Sequence, residues 1–137
     1  MLYWRSACAL ALLFLAATMF GARSGEPFPF GTELMLDVPP LHGIKRIPMM
    51  EIEEDGAASI DLWCTSLRAQ ATLDGDSITI VPSEAQNDTS GGQCEADQQA
   101  SDAEILSALR GATNWRRAGE VVELSGPATL RFRLMTN

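Results

Sequence analysis

Apolar and polar residues alternate with a period of two along most of the chain after residue 31. This pattern is typical of β-strands that bury one face. The first such stretch is "TELMLDV" (32–38), in which Leu34 and Leu36 fall on the same side. A connection headed by two prolines follows at 39–48. The pattern therefore predicts a short strand and then an irregular loop.

Two hairpins are predicted next, at 49–64 and 68–82. Each contains an Asp-Gly step between two alternating runs, at Asp55-Gly56 and Asp74-Gly75. Asp-Gly is a strong hairpin signal because both residues tolerate the positive φ that tight turns require. Three residues of the strand after the first turn are expected to share one face: Ile60, Leu62 and Cys64.

The period changes to that of a helix at 101–112, where one apolar stripe is formed by Ile105, Leu106, Ala108 and Leu109. Ser101 and Glu104 have the spacing of a capping box. Gly111 is expected to end the helix in the left-handed conformation. These signals predict one principal helix at about 101–110.

The remaining chain predicts strands at 114–118, 120–126 and 128–135, with a turn at Gly119. Strands are thus numerous and short, with one helix late in the chain. This order predicts an α+β fold in which a mostly antiparallel sheet of hairpins carries the helix.

The first 24 residues have the layout of a secretory signal peptide. Arg5 precedes an apolar run at 7–20, and small residues follow up to Ser24. The run is short for a membrane span, which requires roughly 20 apolar residues. A retained anchor is the alternative. We predict cleavage after Ser24, a periplasmic or secreted protein, and no transmembrane segment after signal removal.

Removal of the signal leaves 113 residues, enough for one domain. We divide it into a lead-in with the first strand (25–48) and the main domain (49–137). The 8 remaining basic residues face 18 acidic ones, so the net charge is about −10. Nucleic-acid binding requires a basic surface, and this composition argues against it.

Three chemical roles are open to Cys64. Export removes Cys8 and leaves Cys64 and Cys94, and an even number of cysteines normally pairs in an oxidising compartment. Such a disulfide closes a loop of about 30 residues and stabilises the fold by about 3.5 kcal/mol in the chain-entropy model. Alternatively, Cys64 is a catalytic thiol with His42, the one histidine, as its base. A zinc site is disfavoured by the ligand spacing.

No other motif predicts a catalytic, metal or cofactor site, so we expect a protein without enzymatic activity and without a cofactor. Trp63 is either a core residue or an exposed recognition aromatic, and Trp115 has the same two interpretations. Arg131 and Arg133 lie on one strand face. They form either a small cationic contact surface or a charge-balanced exposed face. We retain these four residues as candidate interaction residues.

The order of these features resembles the META domain family, which includes the HslJ-like heat-shock proteins of Gram-negative bacteria. The resemblance rests on "LDGDSITIVP", the two cysteines about 30 residues apart, "AEILSALRGATNW" and "GEVVELSGPATLRFR". It covers roughly 50–135. Thr65 stands where the family has asparagine, and Trp63 where it has glycine, so the chain looks like a divergent, proteobacterial subgroup.

The resemblance implies an exported envelope domain without catalytic residues, associated with heat shock, stress response or antibiotic tolerance. In it, the cysteine pair maps onto Cys64 and Cys94. We therefore expect a non-enzymatic domain that acts by contact with a protein partner. A secreted binding or inhibitor module is the alternative, with the loops 39–48 and 83–99 as contact surfaces. A thiol enzyme using Cys64 and His42 is the second alternative.

Overall fold

The structure is a computed structural model, and it describes residues 25–83 and 94–136. The predicted signal peptide (1–24) and residues 84–93 of the candidate contact loop 83–99 lie outside the described residues. Within the described ranges the chain forms eight strands and one helix. In chain order these are β1 (Leu34–Leu36), β2 (Met49–Ile52), β3 (Ala57–Asp61), β4 (Ser66–Asp74), β5 (Ser77–Pro82), α1 (Ala96–Gly111), β6 (Asn114–Ala118), β7 (Val121–Ser125) and β8 (Thr129–Leu134).

The strands form a closed antiparallel barrel in which each strand pairs with the next and β8 pairs with β1. The predicted class, an antiparallel hairpin sheet with one helix, is confirmed. Closure is more specific than that prediction. The seam between β5 and β6 is short, because only Ser77 and Asn114 are in register there. From Ile78 onward β5 runs past the start of β6, and α1 packs against β5 and β8 instead.

The alternation predicted from the sequence sorts side chains between the barrel interior and its surface. Met50 and Ile52 are buried while Glu51 is half-buried, and the same alternation runs through β4 and β5. The interior is filled by apolar side chains, of which the largest fully buried are Leu34, Leu36, Ile52, Ile60, Leu62, Ile78, Val122 and Leu124. The interior is therefore a packed core, as in other small barrels.

The two ends of the barrel differ. Short turns at β2–β3, β4–β5 and β6–β7 lie at one end, which we call the turn end. The connections β3–β4, β5–β6 and β7–β8 lie at the other end, and the second of these contains α1. We call it the helix end. Leu109 and Ala112 join the core there, with Ile105 and Leu106 packed against it.

The predicted start of the helix is wrong. The helix begins at Ala96, and Glu95 is its N-cap. The backbone N–H of Glu95 donates to the Gln98 side chain, so the capping box lies six residues earlier than the predicted pair Ser101 and Glu104. Ser101 is inside the helix, where its hydroxyl donates to the Asp97 carbonyl. A polar first turn concealed this start, because hydropathy alone does not distinguish it from a loop.

The predicted left-handed cap at Gly111 is also wrong. The helix ends at Gly111, and Ala112 follows in extended conformation. The position that requires glycine for space is Gly126, where an added Cβ would collide with the Gly111 carbonyl oxygen. The close approach of these two glycines lets the end of α1 pack on the β7–β8 turn. Among the described residues, no helix reaches the length and apolar character of a membrane span.

The turn end is crossed by residues 26–31 of the lead-in segment, which we call the strap. Phe28 inserts into the core and is only 6% exposed. Its ring meets Trp115 edge to face, with 5.2 Å between centroids. The Gly31 N–H donates to the Ile52 carbonyl at 2.9 Å, and Gly31 has a φ of 65°. The strap therefore closes the turn end with one aromatic side chain.

Candidate functional site

The predicted disulfide lies at the helix end. Cys64 is in the loop between β3 and β4, and Cys94 lies two residues before α1. The two residues are bonded, with a Cα–Cα distance of 5.9 Å and a sequence separation of 30. The bond ties the start of the helix to the barrel wall. Since β3 ends at Asp61, Cys64 does not share a strand face with Ile60, contrary to the sequence prediction.

A buried carboxylate supports the same junction. Asp102 lies on α1 and is 5% exposed. Its two oxygens accept hydrogen bonds from the backbone N–H groups of Trp63 and Cys64, each at 2.8 Å. Hydrogen bonds to an ionised acceptor are stronger than neutral ones. Asp102 therefore satisfies two amides of a loop that the barrel does not pair, and it holds that loop against the middle of the helix.

The disulfide determines what chemistry Cys64 can perform. Nucleophilic catalysis requires a thiolate, and the Cys64 sulfur is bonded to Cys94. His42, its proposed base, is exposed in the β1–β2 connection. Thiol chemistry at Cys64 would first require reduction of the bond. The β3–β4 loop is joined to the helix by this disulfide and by the two hydrogen bonds to Asp102.

The two tryptophans occupy opposite ends of the barrel. Trp63 is 6% exposed at the helix end, so its indole is in the protein interior. Trp115 is half-buried at the turn end, where its Nε1–H donates to the Gly75 carbonyl at 2.9 Å. Both rings are thereby committed to packing. The burial of Trp63 favours its core interpretation, and the half-buried Trp115 packs against Phe28.

The arginines lie on the outer face of β6, β7 and β8. Cross-strand register aligns Arg116 with Glu123 and Glu123 with Arg131. Arg116 Nη2 is 2.8 Å from Glu123 Oε1, and Arg131 Nε is 4.0 Å from Glu123 Oε2. Arg133 Nε is 3.2 Å from Asp37 Oδ1. We call Arg116, Glu123, Arg131, Arg133 and Asp37 the arginine face.

This face combines charge balance with exposure. The side chains of Arg116, Arg131 and Arg133 are 76%, 57% and 60% exposed. Each guanidinium has five N–H donors, more than a single carboxylate partner occupies. Three cations and two anions leave this face positive on a strongly acidic protein. It can therefore accept further carboxylates from outside the molecule.

An acidic group lies on the neighbouring strands. A hydrogen bond with Glu53 raises the pKa of Glu51 above 4.5, and desolvation and the charges of Glu53 and Glu33 add to this effect. Glu51 therefore takes up a proton more readily than an isolated glutamate does. Within residues 25–83 and 94–136, no three His, Cys, Asp or Glu side chains are grouped as a metal site requires.

Asp102 and Phe28 were not predicted from the sequence. A signal for Asp102 exists, because 102, 105, 106 and 109 fall at i, i+3, i+4 and i+7 on the stripe of the helix. A carboxylate on an apolar stripe indicates a buried partner. For Phe28 the signal is weaker, since "EPFPF" has no strand or helix period and its contacts are made with residues far along the chain.

Comparisons with known proteins agree with the barrel. A family model described as "META domain" matches residues 32–136. A solved structure determined by NMR is 16% identical, covers 75% of this chain and 88% of its own, and has a TM-score of 0.56, which supports the fold. A duf4847 family protein from Bacteroides vulgatus ATCC 8482 is 13% identical with a TM-score of 0.49. The match covers 63% of this chain and 57% of that protein's length. A search of curated proteins finds no match.

Proposed function

Because this chain belongs to the META domain family, we propose that it is an exported, non-enzymatic domain of the bacterial envelope that acts by contact with a protein partner. The observation that carries this proposal is the arginine face, with its exposed cations on an acidic molecule. The partner surface is acidic. A link to stress or antibiotic tolerance is a proposal that follows from the family alone.

Two further observations support the proposal. The Cys64–Cys94 bond suits an oxidising compartment such as the periplasm. The apolar filling of the barrel makes its outer surface the place where another molecule would be met. A rigid sheet surface is suited to this role, because Glu123 lies between Arg116 and Arg131 and fixes their spacing.

A photo-cross-linking amino acid at Thr129 tests the proposal in intact cells of the native host. Thr129 is exposed on β8, on the same strand face as Arg131 and Arg133, and leaves the arginines intact. Thr72, exposed on β4, is the matched control position. We expect a defined adduct from position 129 that is absent from position 72, identified by mass spectrometry.

Charge reversal then tests the chemistry of the contact. Arg131→Glu with Arg133→Glu should abolish the adduct formed from position 129, because both exposed donors become acceptors. The adduct should also decrease as salt is raised, since exposed charges are screened over about 10 Å at 0.1 M. An adduct that survives the double reversal, or equal adducts from positions 129 and 72, would contradict the proposal.

A further inference from the structure

The strap is held at the turn end by contacts with three of its consecutive residues. The Glu26 carboxylate Oε2 accepts from the Gly119 N–H at 2.6 Å and lies 3.8 Å from Arg117 Nε. Arg117 Nη1 donates to the Pro27 carbonyl at 3.2 Å. Phe28 then fills the end of the core. An acid, a proline carbonyl and an aromatic ring are thus each met by a matching group on the barrel.

The receiving surface is formed by residues distant in sequence from the strap. The Trp115 ring is positioned by its bond to the Gly75 carbonyl, and it presents an aromatic wall to Phe28. Arg117 is anchored by its own bond to the Gly119 carbonyl at 2.9 Å. The barrel therefore holds Trp115, Arg117 and the Gly119 amide in place through its own contacts as well as those with the strap. This is a prearranged binding surface.

The strap itself is attached lightly. Its prolines lack N–H groups and cannot donate to a strand ladder. One backbone hydrogen bond joins it to a strand, from Gly31 to Ile52. Gly31 has a positive φ at the point where the strap joins the rest of the chain, a conformation that glycine enters and leaves without strain. These features allow the strap to leave as a unit while β1 stays paired.

We infer that the turn end is a binding site for an extended segment of the order acid-Pro-aromatic-Pro, and that its partner in trans is the strap of a second copy of this chain. Residues 26–29 of this chain have this order themselves, so the occupant is the same segment of another molecule. Exchange of an identical element between two copies is a low-cost route to a dimer, because the same contacts are made in both states. This inference does not rest on the arginine face.

Complementation between two variants of the mature protein tests the exchange. Phe28→Ala weakens the strap and leaves the receiving surface intact. Arg117→Ala weakens the receiving surface and leaves the strap sequence intact. Each variant alone should remain a monomer in sedimentation analysis. Mixed at about equal, high micromolar concentrations, they should form a 1:1 species of twice the monomer mass, with the Arg117→Ala strap in the Phe28→Ala barrel.

Competition with a peptide identifies the contact. The peptide Gly-Glu-Pro-Phe-Pro-Phe-Gly, which reproduces residues 25–31, should return the mixture to monomers. The same peptide with alanine at position 28 should not. If Phe28→Ala does not fold, Phe28→Leu replaces it, because leucine keeps an apolar plug without the aromatic contact. A mixture that contains monomers only, or a dimer that the native peptide leaves unchanged, would overturn the inference.

Discussion

The two ends of the barrel are closed by different physical means. At the helix end, a covalent bond and a buried carboxylate attach α1 to the β3–β4 loop. At the turn end, the strap is held by one buried ring and by exposed polar contacts around Glu26 and Arg117. Both elements bury apolar side chains in the same core. The helix α1 and the strap differ in how readily they can detach from the barrel.

This difference distinguishes the contacts that stabilise the whole fold from the contacts that can break and re-form. Exposed ion pairs contribute little stability, typically below about 1 kcal/mol. A disulfide across about 30 residues contributes several times as much. We therefore expect the helix end to stay closed while the disulfide is oxidised and the turn end to open more readily. Variants at each end test this contrast, from the largest expected effect to the smallest.

Removal of the disulfide should have the largest effect. The double variant Cys64→Ala, Cys94→Ala should lose about 3.5 kcal/mol of unfolding free energy, measured by urea denaturation, because the unfolded chain regains the freedom of the closed loop. Wild-type protein treated with reductant should lose a similar amount. The double variant should not respond to reductant. Equal stability of oxidised and reduced wild type would contradict the role of this bond.

Loss of the buried Asp102 carboxylate should cause the second-largest decrease in the free energy of unfolding. Asp102→Ala leaves the Trp63 and Cys64 amides without their acceptor, and we expect a loss of about 3 kcal/mol. Asp102→Asn keeps one acceptor oxygen and should cost about half as much. Glu104→Ala, at an exposed position on the same helix, is the matched control and should stay within about 0.5 kcal/mol of wild type. Equal losses of unfolding free energy for Asp102→Ala and Glu104→Ala would contradict a stabilising role of the hydrogen bonds to Asp102.

Truncation of Phe28 at the turn end should decrease the free energy of unfolding by less. A fully buried phenylalanine usually loses about 3–5 kcal/mol on change to alanine. For Phe28→Ala we expect about 2 kcal/mol, because the strap can undock and the loss cannot exceed its docking free energy. Phe30→Ala, where the ring is 37% exposed, should cost clearly less. A loss above about 4 kcal/mol for Phe28→Ala would show that the strap is integral to the fold.

The acidic pair should have the smallest effect, and it should depend on pH. The pKa of Glu51 is raised in the folded state. Protonation of Glu51 therefore stabilises the fold, and this stabilisation is fully present below the pKa of the unfolded state, about 4.5. It is lost as the pH rises through the folded value. Glu51→Gln should remove this step and raise Tm at pH 7 by about 1–2 °C. A lower Tm for Glu51→Gln at pH 7 would contradict repulsion as the cause.

Local patterns along the chain were enough to predict most strands. The bounds of β6 agree with the predicted 114–118, and the second hairpin turns at Gly75 as expected. These features depend on alternation and turn chemistry within a few residues of one another. The META resemblance is confirmed by the family model. The sequence therefore contained the strand elements and their hairpin pairing.

Barrel closure and the sealing of its ends could not be predicted in the same way. Pairing of β1 with β8 joins residues about 100 positions apart, and alternation says nothing about that partner. Asp102 and Phe28 act through loops and turns that come together only in the closed barrel. The helix start was missed because Glu95 and Gln98 form their capping box within a polar stretch.

Hydrogen exchange of a protein that comprises residues 25–137, read by mass spectrometry with and without reductant, tests the contrast between the ends most directly. We expect the non-proline amides of the strap to exchange faster than those of α1 in oxidised protein. On reduction, protection should fall at the start of α1 and in the β3–β4 loop, with the strap unchanged. Equal protection at both ends, or loss of protection at the strap first, would contradict this contrast.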